Sequence, residues 1–381
     1  MTTPIQPDAE ALARSERLFA HLAQKIEAAG GWISFADYMR GALYTPELGY
    51  YTGASAKFGA GGDFITAPEI SPFFGCAVAR QLAEIMAQSA PFIVEAGAGS
   101  GRLCADILTT LAAADALPER YQILEVSPDL QARQRANLAQ WIPSFADRIE
   151  WLSDWPENYA GAVIGNEVLD AFAVHLIVKK AGQILEKGVA LENAKFVWKN
   201  RPATGKILEK SQALDLPDDY ETEIAQEAPA WIKAWGAHLQ RGGILLIDYG
   251  YNRTTFYAPG RYQGTWQCHY RHVAHDDPFL YPGLADLTAH VEFTAIAEAA
   301  MEAGMEVNGY ASQMRFLLNC GLLNDLEGMD SLSPEYIKVV GGIQKLISPQ
   351  EMGESFKAIV LGKGLKEPLL GFARGDQRHA L

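Results

Sequence analysis

Residues 94–101 read V-E-A-G-A-G-S-G, and this stretch decides the fold. Glu95 closes a short apolar run, FIVEA (92–96), with the length and β-branched content of a buried strand. Gly97, Gly99 and Gly101 then alternate through a turn, and a helical pattern follows from about Leu103 to Ala114. Glycine lets the chain turn tightly and lets a ligand approach the backbone closely. A strand, a glycine-rich turn and a helix in that order are therefore a cofactor-binding signal, where a plain surface turn would lack the context. A dinucleotide fingerprint, G-x-G-x-x-G counted from Gly97, needs glycine at position 102, where the chain has Arg102. The spacing present is E-x-G-x-G-x-G.

Outward from this turn, strand and helix patterns alternate. YQILEV (121–126) reads as a second strand, and Ser127-Pro128 opens a helix running through Leu138. RIEWL (148–152) and GAVIG (161–165) read as strands three and four. Ile224, Ala228, Trp231, Ile232 and Trp235 mark an amphipathic helix that leads through Gly242-Gly243 into the strand GGILLIDY (242–249). A helix near 294–303, a strand at 306–311 and a last strand in SFKAIVLGKG (355–364) complete the pattern. Before the turn, Leu18, Phe19, Leu22 and Ile26 line a helix stopped by Gly30-Gly31, Tyr38 to Ile70 reads as loop, and Ser71-Pro72 starts another helix. Continuous apolar strands alternating with helices predict an α/β fold: a mostly parallel sheet with helices on both faces and ligands at the carboxyl ends of the strands. We expect an N-terminal extension over 1–70, the main domain over 71–363 and a tail over 364–381. A β-hairpin insertion is expected at about 174–210 and a further insertion at about 250–290.

The chain has 381 residues, 49% hydrophobic and 20% charged, which excludes wholesale disorder. A formal net charge of −14 gives no general attraction for nucleic acid or an anionic membrane. The four cysteines, Cys76, Cys104, Cys268 and Cys320, form no CxxC pair, so neither a disulfide framework nor a zinc finger is expected. No membrane span, signal peptide or transit peptide is read, and the cytoplasm is the expected compartment.

The E-x-G-x-G-x-G turn resembles motif I of the class I S-adenosylmethionine methyltransferases, whose Rossmann-like fold matches the strand pattern. S-adenosyl-L-methionine carries an amino-acid end in place of a pyrophosphate, so Glu95 is expected near its ammonium. Glu125, ending strand two, is placed to accept from two ribose hydroxyls, with Val126 beside it at the cofactor. Asp154 is expected at the adenine amino group and Trp155 over the ring. After strand four comes GNEVLDAFAVH (165–175). Asn166, Glu167 and Asp170 bring an amide and two carboxylates to the active-site position, and the i, i+3 spacing puts both carboxylates on one face if a helical turn starts there. Such a pair can bind metal, act as acid and base, or hold a cationic substrate; an N-capping loop is the bland alternative. A guanidinium gripped by carboxylates is both oriented and polarised, which favours the third use. Thr66 and Glu69 are expected at the cofactor or substrate, though a turn around Pro68 reads equally well. Asp248 is either a substrate-side acid or a cap. His269, His272 and His275 stand three apart, but without a recognised ligand spacing no metal is expected, and Arg271 and His272 are read as part of a substrate-binding lid.

GDFITAPEIS (62–71), FFG (73–75), VEAGAGSG, LEVSP (124–128), GNEVLDA (165–171), LLIDYGY (245–251), YRHVAHDDPF (270–279) and ADLTAHVEF (285–293) together resemble the MidA family, as does YMRGALYTPELGYY (38–51). The likeness runs from about residue 30 to 363. It implies a class I methyltransferase that binds S-adenosylmethionine and, for the mitochondrial members, methylates arginine on a respiratory complex I subunit. The family's turn reads E-L-G-P-G-x-G; Ala96 and Ala98 here keep every glycine and lose the proline. Ala173 stands where the family often has Pro. A protein substrate follows, with room for a homodimer. The opposing reading is a non-catalytic assembly factor that keeps the fold; intact Glu95, Glu125, Glu167 and Asp170 favour the enzyme.

Overall fold

A computed structural model describes residues 6–53 and 66–381, so residues 62–65 of the GDFITAPEIS stretch lie outside the described residues. The sequence-read strands meet in one sheet: β1 (Phe92–Ala96), β2 (Arg120–Leu124), β3 (Ile149–Leu152), β4 (Tyr159–Asn166), β5 (Leu239–Tyr251), β6 (Glu306–Ser312) and β7 (Phe356–Lys363). Their order across the sheet is β3-β2-β1-β4-β5-β7-β6. β1 to β5 run parallel to one another, and β7 runs antiparallel to both β5 and β6. The order reverses between β1 and β4, and in open α/β sheets such a switch point opens a crevice at the carboxyl ends of the strands. The glycine turn leaves β1 there, and Asn166 ends β4 beside it.

The helices around this sheet are α1 (Ala67–Ile70), α2 (Pro72–Gln88), α3 (Arg102–Ala113), α4 (Pro128–Trp141), α5 (Glu227–His238) and α6 (Phe293–Glu302). Both serine-proline starts form as read. The Ser71 hydroxyl accepts from Phe73 N at 3.3 Å and the Ser127 hydroxyl from Leu130 N at 3.4 Å, satisfying N–H groups the helices leave open. Ile93, Ile123, Ala162, Ile164, Leu245 and Ile247 of the strands pack with Phe74, Val78 and Leu82 of α2 and Ile107 and Leu108 of α3, all buried. Each such aliphatic side chain contributes about 1.5–3 kcal/mol on burial, which fixes the strand ends that carry the polar residues.

The described chain divides into two compact units. One is Ile65–Leu169, Trp231–Asn252 and Phe293–Leu381, the sheet above. The other is Met1–Phe64, Asp170–Ala230 and Arg253–Glu292. Taken by itself, the second unit holds a five-stranded antiparallel sheet in which Val174–Lys180 and Gln183–Glu192 are the expected hairpin, extended by Lys195–Pro202, Tyr220–Ala225 and Ile33–Ser34. Two sequence readings are corrected here. Ile224 belongs to a strand, paired with His175, because this non-local edge outweighs the helical spacing it shares with Ala228. Phe35–Tyr44, read as mostly loop, is a helix capped by Ser34, whose hydroxyl accepts from Asp37 N at 3.0 Å. Among the described residues no helix is long and apolar enough to cross a membrane.

Candidate active site

The glycine turn is set by backbone geometry. Gly97, Gly99 and Gly101 have φ of 66°, 53° and 86°, in the left-handed region where a side chain is strained. A Cβ on Gly97 would also sit 3.2 Å from a Val168 methyl. Gly97 N donates to Leu124 O of β2 at 3.0 Å, which ties the turn to the strand that delivers Glu125.

Glu125 is buried, and both carboxylate oxygens are directed: Oε1 accepts from Ser127 N at 3.0 Å and Oε2 from Gln134 Nε2 at 3.1 Å. The next side chain, Val126, is 73% exposed. A carboxylate aligned for a diol beside an apolar group left in water is chemistry suited to a nucleoside.

Glu95 lies at the carboxyl end of β1, just before the glycine turn. It is buried, and its Oε2 accepts from the Tyr121 hydroxyl at 2.7 Å. Burial pushes its carboxyl up to about 7; the tyrosine opposes this and the charge of Glu125 adds to it. One carboxylate oxygen is thus tied to β2 at the carboxyl end of β1. Burial likewise raises Asp106 of α3 to about 6, against the pull of Arg102, whose Nε donates to it at 3.1 Å.

The acidic loop is not a helical turn. Glu167 has φ 52°, and its N–H donates to Ile247 O of β5 at 2.9 Å. Its Oε1 accepts from Asn166 Nδ2 at 3.0 Å and from Ala67 N at 3.4 Å. Asn166 Oδ1 is buried with no hydrogen-bond partner among the described residues, an acceptor at the carboxyl end of β4 that suits a ligand N–H. Leu169 N donates to Asp248 Oδ2 at 2.8 Å, and Tyr249 N to Asp248 Oδ1 at 2.8 Å. Asp248 is thus buried as a cap that pins the loop, the second of its two readings. Asp170 belongs to the other compact unit, where its carbonyl accepts from Ala289 N at 3.1 Å. The left-handed residue at 167 turns the chain before a helical face can form, so the shared face expected for Glu167 and Asp170 does not exist.

The remaining expected residues separate. Thr66 occupies the N-cap position of α1, and Glu69 accepts from the hydroxyl of Ser100 in the glycine turn, so α1 is tied to that turn. Asp154 is exposed and caps Trp155 N at 2.8 Å. Trp155 is corrected: its ring packs 4.8 Å from Trp235 and 5.4 Å from His238 of α5. His238 immediately precedes Leu239, which pairs with Tyr159 at the start of β4, so Trp155 lies at the amino edge of the sheet, away from the glycine turn. In the second unit, Arg271 and His272 are exposed and occupy the two-residue turn between Gln267–Tyr270 and Val273–His275, with φ of 48° and 63°. His269 is held down at about 4 by burial and by the neighbouring His275. Gln134, fully buried in α4, was not singled out from the sequence; its polar contacts are all made across the fold, and only its place among apolar α4 neighbours hints at them.

The glycine turn, Glu125, Val126 and Asn166 bring together an open backbone, a buried carboxylate, an exposed apolar side chain and an amide oxygen, a donor set whose chemistry fits S-adenosylmethionine.

A family model described as "Putative S-adenosyl-L-methionine-dependent methyltransferase" matches residues 77–311. The chain is 30% identical to the mitochondrial protein arginine methyltransferase NDUFAF7 homolog of Drosophila melanogaster, over 97% of this chain and 92% of that protein. It is 29% identical to the mitochondrial protein arginine methyltransferase NDUFAF7 of Danio rerio, over 90% and 86%. A Burkholderia thailandensis protein crystallised with S-adenosyl-homocysteine superposes with a TM-score of 0.97 at 44% identity, covering 100% of both chains.

Proposed function

The chain belongs to the family of S-adenosyl-L-methionine-dependent methyltransferases, and from that premise we propose that it methylates arginine on a protein substrate. The cofactor supplies a methyl group on a cationic sulfur. Methyl transfer is a direct displacement, so its main demand is alignment. In this reading Glu125 fixes the ribose, Val126 covers the adenine, and the glycine turn admits the amino-acid end. Glu167 grips the incoming guanidinium. That group is protonated at neutral pH, with a pKa above about 12, and is a weak nucleophile until its charge is drawn away from the attacking nitrogen. The observation that carries the proposal is the placement of Glu167: its left-handed backbone, bonded to Ile247 O, and its contacts with Asn166 and Ala67 N hold a carboxylate at the strand end beside the glycine turn. The names of the relatives support arginine as the target. A respiratory complex I subunit is the first substrate to test, and light scattering of the same sample reads whether a homodimer forms.

The experiment is to incubate the protein with methyl-labelled S-adenosylmethionine and lysate from a strain lacking its gene. We expect one labelled protein band whose acid hydrolysate contains methylarginine. Label only in lysine or in a carboxyl ester would overturn the arginine reading.

A further inference from the structure

One face of α4 carries three side-chain amides, Gln131, Gln134 and Asn137, at i, i+3 and i+6. Between them they donate to the two loops of the proposed cofactor site, and Gln134 donates to both. Gln131 Nε2 donates to Glu125 O at 2.8 Å. Gln134 Nε2 donates to Glu125 Oε2 and to Gly99 O, both at 3.1 Å. Asn137 Nδ2 donates to Ser100 O at 2.9 Å. The middle rung is the one fully enclosed. Gln134 has no exposed surface, both its donors are used, and its Oε1 accepts from Trp151 Nε1 at 2.9 Å. Flipping the amide would put oxygen against a carboxylate and a carbonyl and leave the indole N–H without its acceptor, so one orientation is fixed. Arg135 stacks over the face of the same indole, 3.9 Å from its centre.

We propose that this amide ridge is the positioning device for the cofactor: α4 locks the glycine turn and the ribose carboxylate into one register, with Gln134 as its central positioning residue. The chemistry argues for this directly. A glycine turn has no side chains to brace it, and a carboxylate on a short loop rotates freely unless its oxygens are engaged. Gln134 bonds both at once, so the distance from Glu125 to Gly99 is set by one rigid amide. Preorganisation of this kind removes the ordering cost a ligand would otherwise meet on binding.

The inference rests on the assignment of the cofactor to this site. Its test is the affinity of S-adenosyl-homocysteine, measured by calorimetry on the full chain at pH 6 and pH 8. In Gln134→Glu a second carboxyl faces Glu125 Oε2 and Gly99 O. It meets Glu125 directly, Glu95 lies within electrostatic reach of Glu125, and Arg135 stacks over Trp151, the partner of the same amide. When both carboxyls are ionised they repel; when one holds a proton the pair can share a hydrogen bond. We expect the affinity, relative to wild type at the same pH, to fall about tenfold or more at pH 8 and to recover substantially at pH 6. Arg133→Gln, on the exposed side of the same helix, controls for a general change in α4 and should bind as wild type does. A variant-to-wild-type ratio equal at both pH values, or an affinity within about twofold of wild type at both, overturns the proposal. If Gln134→Glu does not fold, Asn137→Ala is the second variant. A loss of about threefold against Arg133→Gln is then expected, and no loss overturns the proposal. Failure of the wild-type chain to bind would remove the cofactor assignment and this inference with it.

Discussion

Glu167→Gln is the change that most directly tests the chemistry. Glutamine has the same length and keeps an oxygen able to accept from Asn166 Nδ2 and Ala67 N, now at 3.0 and 3.4 Å from Glu167 Oε1. The backbone bond from residue 167 to Ile247 O, at 2.9 Å, does not depend on the side chain, and neither residue type is favoured over the other at φ 52°. The loop should therefore hold its shape while one negative charge is removed. A hydrogen bond to a charged group is worth roughly 1.5–3 kcal/mol, which is about ten- to a hundredfold in rate if it is lost from the transition state. The assay is methyl transfer from labelled cofactor to an arginine-containing substrate, with S-adenosyl-homocysteine affinity measured alongside. Expected are a transfer rate reduced by that factor and an unchanged affinity. The same substrate with lysine in place of the target arginine should fail, because an ammonium offers one point charge and no planar fork. Normal methylation by Glu167→Gln refutes the reasoning. So does loss of cofactor binding, since Glu167 would then belong to the cofactor pocket.

Other outcomes follow from the same geometry. S-adenosyl-homocysteine should raise the melting temperature by mass action while NAD does not, and Gly99→Val should abolish the shift, because a β-branched residue is strained at φ 53° in the turn the ligand must approach; a shift with NAD alone would overturn this. Activity should survive EDTA, and loss on chelation restored by a single metal would bring the His269, His272 and His275 group into the mechanism. Glu95 gives a pH effect of known sign. Its folded carboxyl titrates near 7 against an ordinary value of 4.5, so the folded state binds the extra proton between those values and stability falls as pH rises through that window. Glu95→Gln keeps an acceptor for the Tyr121 hydroxyl and should flatten that slope in urea unfolding at pH 5 and pH 8; an unchanged slope would show that Glu95 is not its source.

The sheet and the glycine turn at its switch point were legible in the sequence. FIVEA is β1 to the residue, Ser71-Pro72 and Ser127-Pro128 start their helices, and the glycines fall where φ is positive. These features are local: a period of apolar residues, a cap and a turn each act within a few neighbours, so a linear pattern carries them. What side chains touch across the fold was decided by tertiary structure. Glu95 meets Tyr121 because β1 and β2 lie side by side, and burial then shifts its proton affinity. Trp155 packs on α5, more than seventy residues later in the chain, where an aromatic cluster buries more of it than a turn would. Glu167 is left-handed because β5 takes its N–H, which no spacing of carboxylates encodes. Gln134 reads as an ordinary helix residue until α4 lies over the glycine turn and its amide finds Gly99, Glu125 and Trp151 together. The strands could be placed from the chain to within a few residues, with β2 stopping at Leu124, before Glu125, and β5 running from Leu239 to Tyr251. The direction and partner of each polar group there depended on packing between segments far apart in sequence.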